Sequence, residues 1–161
     1  MTMVQIKFRN STRIQSSPLR PARLMYALLA LLLMGTHAQA EQKVLMGAYE
    51  VHYIVIPTTT LNAKVADRYG LVRAKDRALV NISVIDVDGK AHPAQVSGRS
   101  RNLLEQSQTL QFQEVREGSA IYYLALLHHA DEEHHRIEID VATSDRQRTI
   151  AWQQKMYWEE S

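Results

Sequence analysis

Four histidines crowd into eight residues, His128-His129-Ala130-Asp131-Glu132-Glu133-His134-His135. Imidazole nitrogens and carboxylate oxygens are ligands for Cu²⁺, Zn²⁺ and Ni²⁺. As the tip of a hairpin, this run sets His128 opposite His135 and His129 opposite His134. Alternation then sends neighbouring histidines to opposite faces, so one face supplies at most two of them. Two imidazoles with Asp131, Glu132 or Glu133 make a weak site for a divalent transition metal, not a closed four-ligand cage. The expected cofactor content is none, apart from weak metal binding at His128, His129, His134 and His135. The same residues also read as the solvated tip of a polar turn.

Other chemistry finds less support. There is no cysteine, and no serine sits in a Gly-x-Ser-x-Gly turn. Ser83 falls within a strand pattern and Ser97 precedes Gly98. The carboxylate pairs Glu114/Glu117 and Glu138/Asp140 read as solvent-facing charges. Asn81 interrupts an apolar strand, so it either meets water or is hydrogen-bonded inside. Arg73, Lys75, Arg77, Arg99 and Arg101 form a candidate anion-binding rim. Tyr122 and Tyr123 point opposite ways in a strand, as do Tyr157 and Trp158, so one of each pair reaches the outside. Tyr122 and Tyr157, with Arg73, Arg77, Arg99 and Arg101, form the candidate binding surface. Exposed aromatics beside charges suit contact with protein or glycan. No reaction is identified.

These residues are positioned by strands. Residues 120–127 are nearly all apolar, and 136–141 alternate, with Ile137, Ile139 and Val141 on one face. Further strands read at 44–56, 77–87, 94–100, 109–115 and 148–158. The 94–100 strand is weakly apolar and is expected near an edge. Leu110 and Phe112 point inward. Ala78, Val80, Ile82 and Val84 form the apolar face of the second strand. Between Pro57 and Gly70, Asn62 caps one short helix striped by Leu61, Val65 and Tyr69. Seven antiparallel strands and one short helix predict an all-β, immunoglobulin-like two-sheet sandwich. A small closed barrel is the alternative.

Charge is divided unevenly. Five of the 19 Lys and Arg, but none of the 17 Asp and Glu, lie in residues 1–40. Residues 41–161 therefore carry 14 basic against 17 acidic side chains, a net of −3. Nucleic-acid binding, which needs concentrated positive charge, loses its support. Basic residues, a short apolar run over 24–34 and Ala38-Gln39-Ala40 spell a secretory signal cut before Glu41. The expected organisation is a signal peptide over 1–40 and one β-sandwich over 41–161. That implies the periplasm, with no transmembrane span left after cleavage.

Four stretches carry a resemblance. They are Tyr49-Glu50-Val51-His52-Tyr53, Val65-Ala66-Asp67-Arg68-Tyr69-Gly70-Leu71, Arg77-Ala78-Leu79-Val80-Asn81-Ile82-Ser83-Val84, and Val115-Arg116-Glu117-Gly118-Ser119-Ala120-Ile121-Tyr122-Tyr123. In these the chain resembles the bacterial DUF4426 family, small exported proteins of proteobacteria. The resemblance spans roughly residues 44–158. It implies a periplasmic or exported protein and assigns no catalytic residue. The paired histidines lie outside the pattern. Together these features point to a non-enzymatic periplasmic protein that contacts another protein or an envelope component. The alternative is a small metal-binding or metal-dependent hydrolytic protein using residues 128–135.

Overall fold

Alternation sets the architecture. In the computed structural model, which describes residues 42–159, the chain runs through β1 (Gln42–Met46), β2 (Tyr49–Pro57), a 3-10 turn (Thr58–Thr60) and α1 (Ala63–Arg68). It continues through β3 (Arg77–Asp86), β4 (Gln95–Asn102), β5 (Ser107–Leu110), β6 (Gln113–Glu117), β7 (Ala120–His128), β8 (Glu133–Ala142) and β9 (Gln147–Met156). All pairings between these strands are antiparallel. One sheet has the order β1-β2-β3-β7-β6 and the other β5-β4-β8-β9. Each sheet ends in edge strands, so the barrel alternative is overturned and the two-sheet sandwich stands.

The core is the sum of the inward faces. Val51, Val80, Ile82, Val84 and Leu127 of the first sheet meet Ile137, Ile139 and Val141 of the second, all essentially sealed from water. Each such side chain contributes roughly 1.5–3 kcal/mol by leaving water. Leu110 is buried, and Phe112 and Trp152 pack against this core from its margins. A second cluster covers the outer face of the first sheet. There Leu61, Ala66 and Leu71, around α1, pack on Leu79 and Leu124. Asn62 caps α1 by accepting from the Lys64 N–H at 3.0 Å. Gly70, at φ 64°, turns the chain out of the helix. The helix thus docks on a sheet face, where its stripe of apolar residues finds a partner.

Nine strands stand among the described residues where seven are expected, for local reasons. The 44–56 run folds back at Gly47-Ala48, because Gly47 adopts φ 65° at the first central position of a two-residue hairpin. The 109–115 run breaks at Gln111-Phe112 and passes from the second sheet to the first. The strand expected near an edge, β4, is second from it, between the short edge strand β5 and β8. Its weak apolarity has a cause. Gly98 faces Ile139, whose Cδ1 sits 2.5 Å from where a β-carbon would stand. The segment expected to be a signal peptide, residues 1–40, lies outside the described residues.

Candidate functional site

The histidine-rich segment is not a hairpin. β7 belongs to the first sheet and β8 to the second, so residues 129–132 arch between sheets. The facing pairs His128/His135 and His129/His134 therefore do not form. His128, at the end of β7, pairs in register with Arg77, and His134 pairs with Lys155. Both are exposed. His129 is buried and its Nδ1 lies 2.9 Å from the Ala130 carbonyl. Its backbone N–H donates to the Asp76 carbonyl at 3.0 Å, tying the arch to the entry of β3. Glu132 turns the arch at φ 54°, and Lys155 donates to its carboxylate at 2.8 Å. Among the described residues, no three His, Cys, Asp or Glu side chains are grouped to hold a metal ion.

His135 has a different place. It continues the inward row of Ile137, Ile139 and Val141 and is 5% exposed. Its Nδ1 lies 2.6 Å from Ser100 Oγ, and its Nε2 lies 2.8 Å from Glu133 Oε2. The carboxylate can only accept, so Nε2 donates to it. In the neutral ring Nδ1 then accepts from the Ser100 hydroxyl. Glu133 also accepts from Asn102 Nδ2 at 2.7 Å and from the Ala130 N–H at 2.7 Å. Burial is the largest single influence on the Glu133 carboxyl and pushes it up. The donors Ala130, His135 and Asn102 together outweigh that and hold it below its ordinary value.

Serine, imidazole and carboxylate in a row invite comparison with a hydrolase triad. Ser100, however, is 1% exposed. Its oxygen cannot meet a substrate unless the sheet opens. The row is a polar plug that joins β4, β8 and the arch. His135 joins the inward row of Ile137 because β8 begins at Glu133, three residues before the strand expected from the alternation.

The candidate rim is divided. Arg99 and Arg101 sit on β4 of the second sheet and pair with Glu138 at 2.6 Å and Glu105 at 2.8 Å. Arg73 donates to the Thr59 carbonyl at 2.7 Å. Arg77, on β3 of the first sheet, has its Nε 3.8 Å from Asp76 Oδ1. Lys75 lies over the Trp158 ring, 4.4 Å from its centroid. Tyr122 is half-buried against the α1 cluster. Asn81 faces that same cluster, and its Oδ1 is buried without a partner among the described residues. Tyr157 and Trp158 follow β9, so alternation does not separate them, and both are exposed.

Two surface features were not legible in the sequence. The first is the end of the sandwich beyond the plug. Leu103 and Leu104, each 79% exposed, cap the β4–β5 turn. Asn102 holds that turn by accepting from the Leu104 and Gln106 N–H groups at 3.0 and 2.9 Å. Trp158 joins the same end, its Nε1 donating to the His129 carbonyl at 3.4 Å and its backbone N–H to Asp131 at 3.0 Å. The second is a cleft of about 180 Å³ between β2 and β9, lined by Gln42, Tyr53, Ile54, Val55, Trp152, Gln153 and Gln154. The Tyr53 and Trp152 rings meet there at 4.6 Å.

Fold and site together define a small two-sheet β-sandwich whose interior is closed at one end by a buried polar network. The chain belongs to the DUF4426 family: the model of that domain of unknown function matches residues 43–159. A DUF4426 family protein from Pseudomonas aeruginosa is 30% identical, with a TM-score of 0.69, over 77% of this chain and 100% of that one. FetP from uropathogenic Escherichia coli strain F11, recombinantly expressed in the periplasm, is 13% identical. It has a TM-score of 0.56 over 75% of this chain and 96% of its own. A copper-bound point variant of FetP gives 13% identity and a TM-score of 0.54, over 74% and 97%. The FetP likeness is one of fold. Comparison with curated proteins returns no match. Among the described residues, no helix is long and apolar enough to cross a membrane.

Proposed function

We propose that the protein is exported to the periplasm and acts there, without catalysis, by contacting another protein or an envelope component. The observation that carries this reading is the end face bearing Leu103, Leu104, Tyr157 and Trp158, all exposed. Asn102 fixes the leucines and the arch fixes Trp158, so the face is ordered before any partner arrives. Pre-ordering lowers the entropy lost on contact. Arg101, beside Leu103, adds a charged rim, as binding surfaces commonly have.

Two measurements test it. Intact mass of the periplasmic fraction should correspond to a chain beginning at Glu41. A photo-crosslinking residue at position 104 should give discrete adducts in cells. The same probe at Val87, exposed on the opposite end in the β3–β4 turn, should give none. Absence of adducts at both positions rejects the contact face.

A second reading, a small metal-binding or metal-dependent hydrolytic protein, draws on the copper-bound FetP variant and on His128, His129, His134 and His135. It concerns weak binding of a divalent transition metal by the two exposed histidines.

A further inference from the structure

We infer that the cleft between Tyr53 of β2 and Trp152 of β9 is a subsite for one uncharged sugar ring of an envelope glycan. This rests on the proposed function only in that the protein meets envelope material. Among the described residues, the sandwich is open along one side, and the cleft lies there. β1 pairs with β2 from Gln42, opposite Tyr53, and residues 54–57 have no neighbour among the described residues on that side of the sheet. β9 is the edge of the facing sheet. The gap between these edges is the cleft.

Its lining matches a sugar in three respects. The floor is aromatic, the Tyr53 and Trp152 rings inclined at 42°. The electron-rich face of such rings attracts the polarised C–H groups that line the apolar side of a pyranose. The rim includes the amides of Gln42 and Gln153, and among the described residues no charged side chain lines it. An amide both donates and accepts, as a sugar hydroxyl does. Polar groups also stand ready. Among the described residues, the Tyr53 hydroxyl, the Trp152 indole N–H and the Gln42 and Gln153 amides have no hydrogen-bond partner.

Size and charge narrow the ligand. At about 180 Å³ the cleft is smaller than the sites that enclose drug-sized molecules, roughly 300–1,000 Å³, and suits a single ring. Among the described residues a charged ligand finds no counter-charge in the lining, and burying it there is unfavourable.

The chain has two tryptophans, so Trp158→Phe leaves Trp152 as the sole indole reporter. That variant is titrated with N-acetylglucosamine, chitobiose, glucose and maltose. Glucosamine, glucuronate and a valine-rich heptapeptide are titrated in parallel. A saturable change in Trp152 fluorescence with a neutral sugar, absent with the charged sugars, is the expected result. By calorimetry, Trp152→Ala and the exposed Gln153→Ala should each weaken that binding at least about tenfold. Gln153→Ala should leave the melting temperature unchanged, which covers the case in which Trp152→Ala fails to fold. No saturable response to any neutral sugar overturns the subsite, as does equal binding of charged sugars. A response to the heptapeptide alone overturns it in favour of strand capture. In each of these failures, adducts through position 104 leave the proposed function standing.

Discussion

His135 Nδ1 and Ser100 Oγ lie 2.6 Å apart in the interior, joining β8 to β4 beside the apolar row of Ile137, Ile139 and Val141. The pair survives burial because the other ring nitrogen reaches Glu133, so no polar atom of the ring is left without a partner. His135→Ala strands the Ser100 hydroxyl and removes a donor from Glu133. It should cost about 1–3 kcal/mol, measured by denaturant unfolding of the mature protein. Loss of less than about 0.5 kcal/mol would show the network to be incidental.

The same network sets a pH dependence. Burial raises the Glu133 carboxyl, but the Ala130, His135 and Asn102 donors leave it below its ordinary 4.5 in the folded chain. The unfolded chain therefore takes up this proton first. The stabilisation is complete above the ordinary value and is lost as pH falls through the lower folded one. Denaturant melts at stepped pH should show wild type losing more stability between about pH 5 and pH 3 than Glu133→Gln, which has no proton to gain. Parallel slopes for the two proteins would sever the carboxyl from acid stability.

Gly98 and Ile139 test the packing of the two middle strands of the second sheet. A β-carbon on Gly98 would stand 2.5 Å from Ile139 Cδ1 and 2.7 Å from the Glu138 carbonyl oxygen. The side chain can rotate, but the backbone oxygen cannot move without distorting β8. Gly98→Ala should cost about 1–3 kcal/mol by overpacking. Ile139→Ala should cost roughly 2–5 kcal/mol by opening a cavity. Chemical denaturation of each single variant measures both.

Leu103 and Leu104 separate contact from stability. Both side chains are solvent-exposed, and their turn is held by Asn102 rather than by their own packing. Leu103→Ser with Leu104→Ser should shift stability by less than about 0.5 kcal/mol per site. The same double change should abolish the adducts of a photo-crosslinking probe placed at the neighbouring Tyr157. Adducts that persist at wild-type level would move the contact away from this end.

Much of the fold could be read from local pattern. The faces of β3 and β8, the helix cap at Asn62 and its stop at Gly70 all depend on residues near in sequence, and each stands as read. What failed was long-range. A polar run between two strands looks the same whether the second strand returns beside the first or arches to the facing sheet. Only the pairing of β7 with β3 and of β8 with β4 decides this, and pairing is not encoded in the arch. The polar plug was hidden for a related reason. His135 sits on the inward row of β8, and Ser100 and Asn102 on that of β4, and their polarity argued against burial until the three met. The Tyr53–Trp152 cleft likewise depends on β2 and β9, strands of different sheets, coming together.

That arch governs what the histidines can do with metal. His128 and His134 are exposed but end up on strands of different sheets. His135 has both ring nitrogens engaged, and His129 Nδ1 faces the Ala130 carbonyl. A metal entering here must bind single imidazoles or break the plug, and among the described residues no three ligands are grouped to receive it. Calorimetric titration of the 41–161 protein with Cu²⁺, Ni²⁺ and Zn²⁺ should therefore give dissociation constants in the micromolar range or weaker. His128→Ala with His134→Ala should remove most of that binding and leave the unfolding midpoint unchanged. His135→Ala should instead lower the midpoint with or without metal, because its loss is felt in the core. Nanomolar affinity, or a midpoint that rises steeply with metal in wild type and not in the His128→Ala, His134→Ala protein, would reverse the order of the two readings and make metal binding the protein's role.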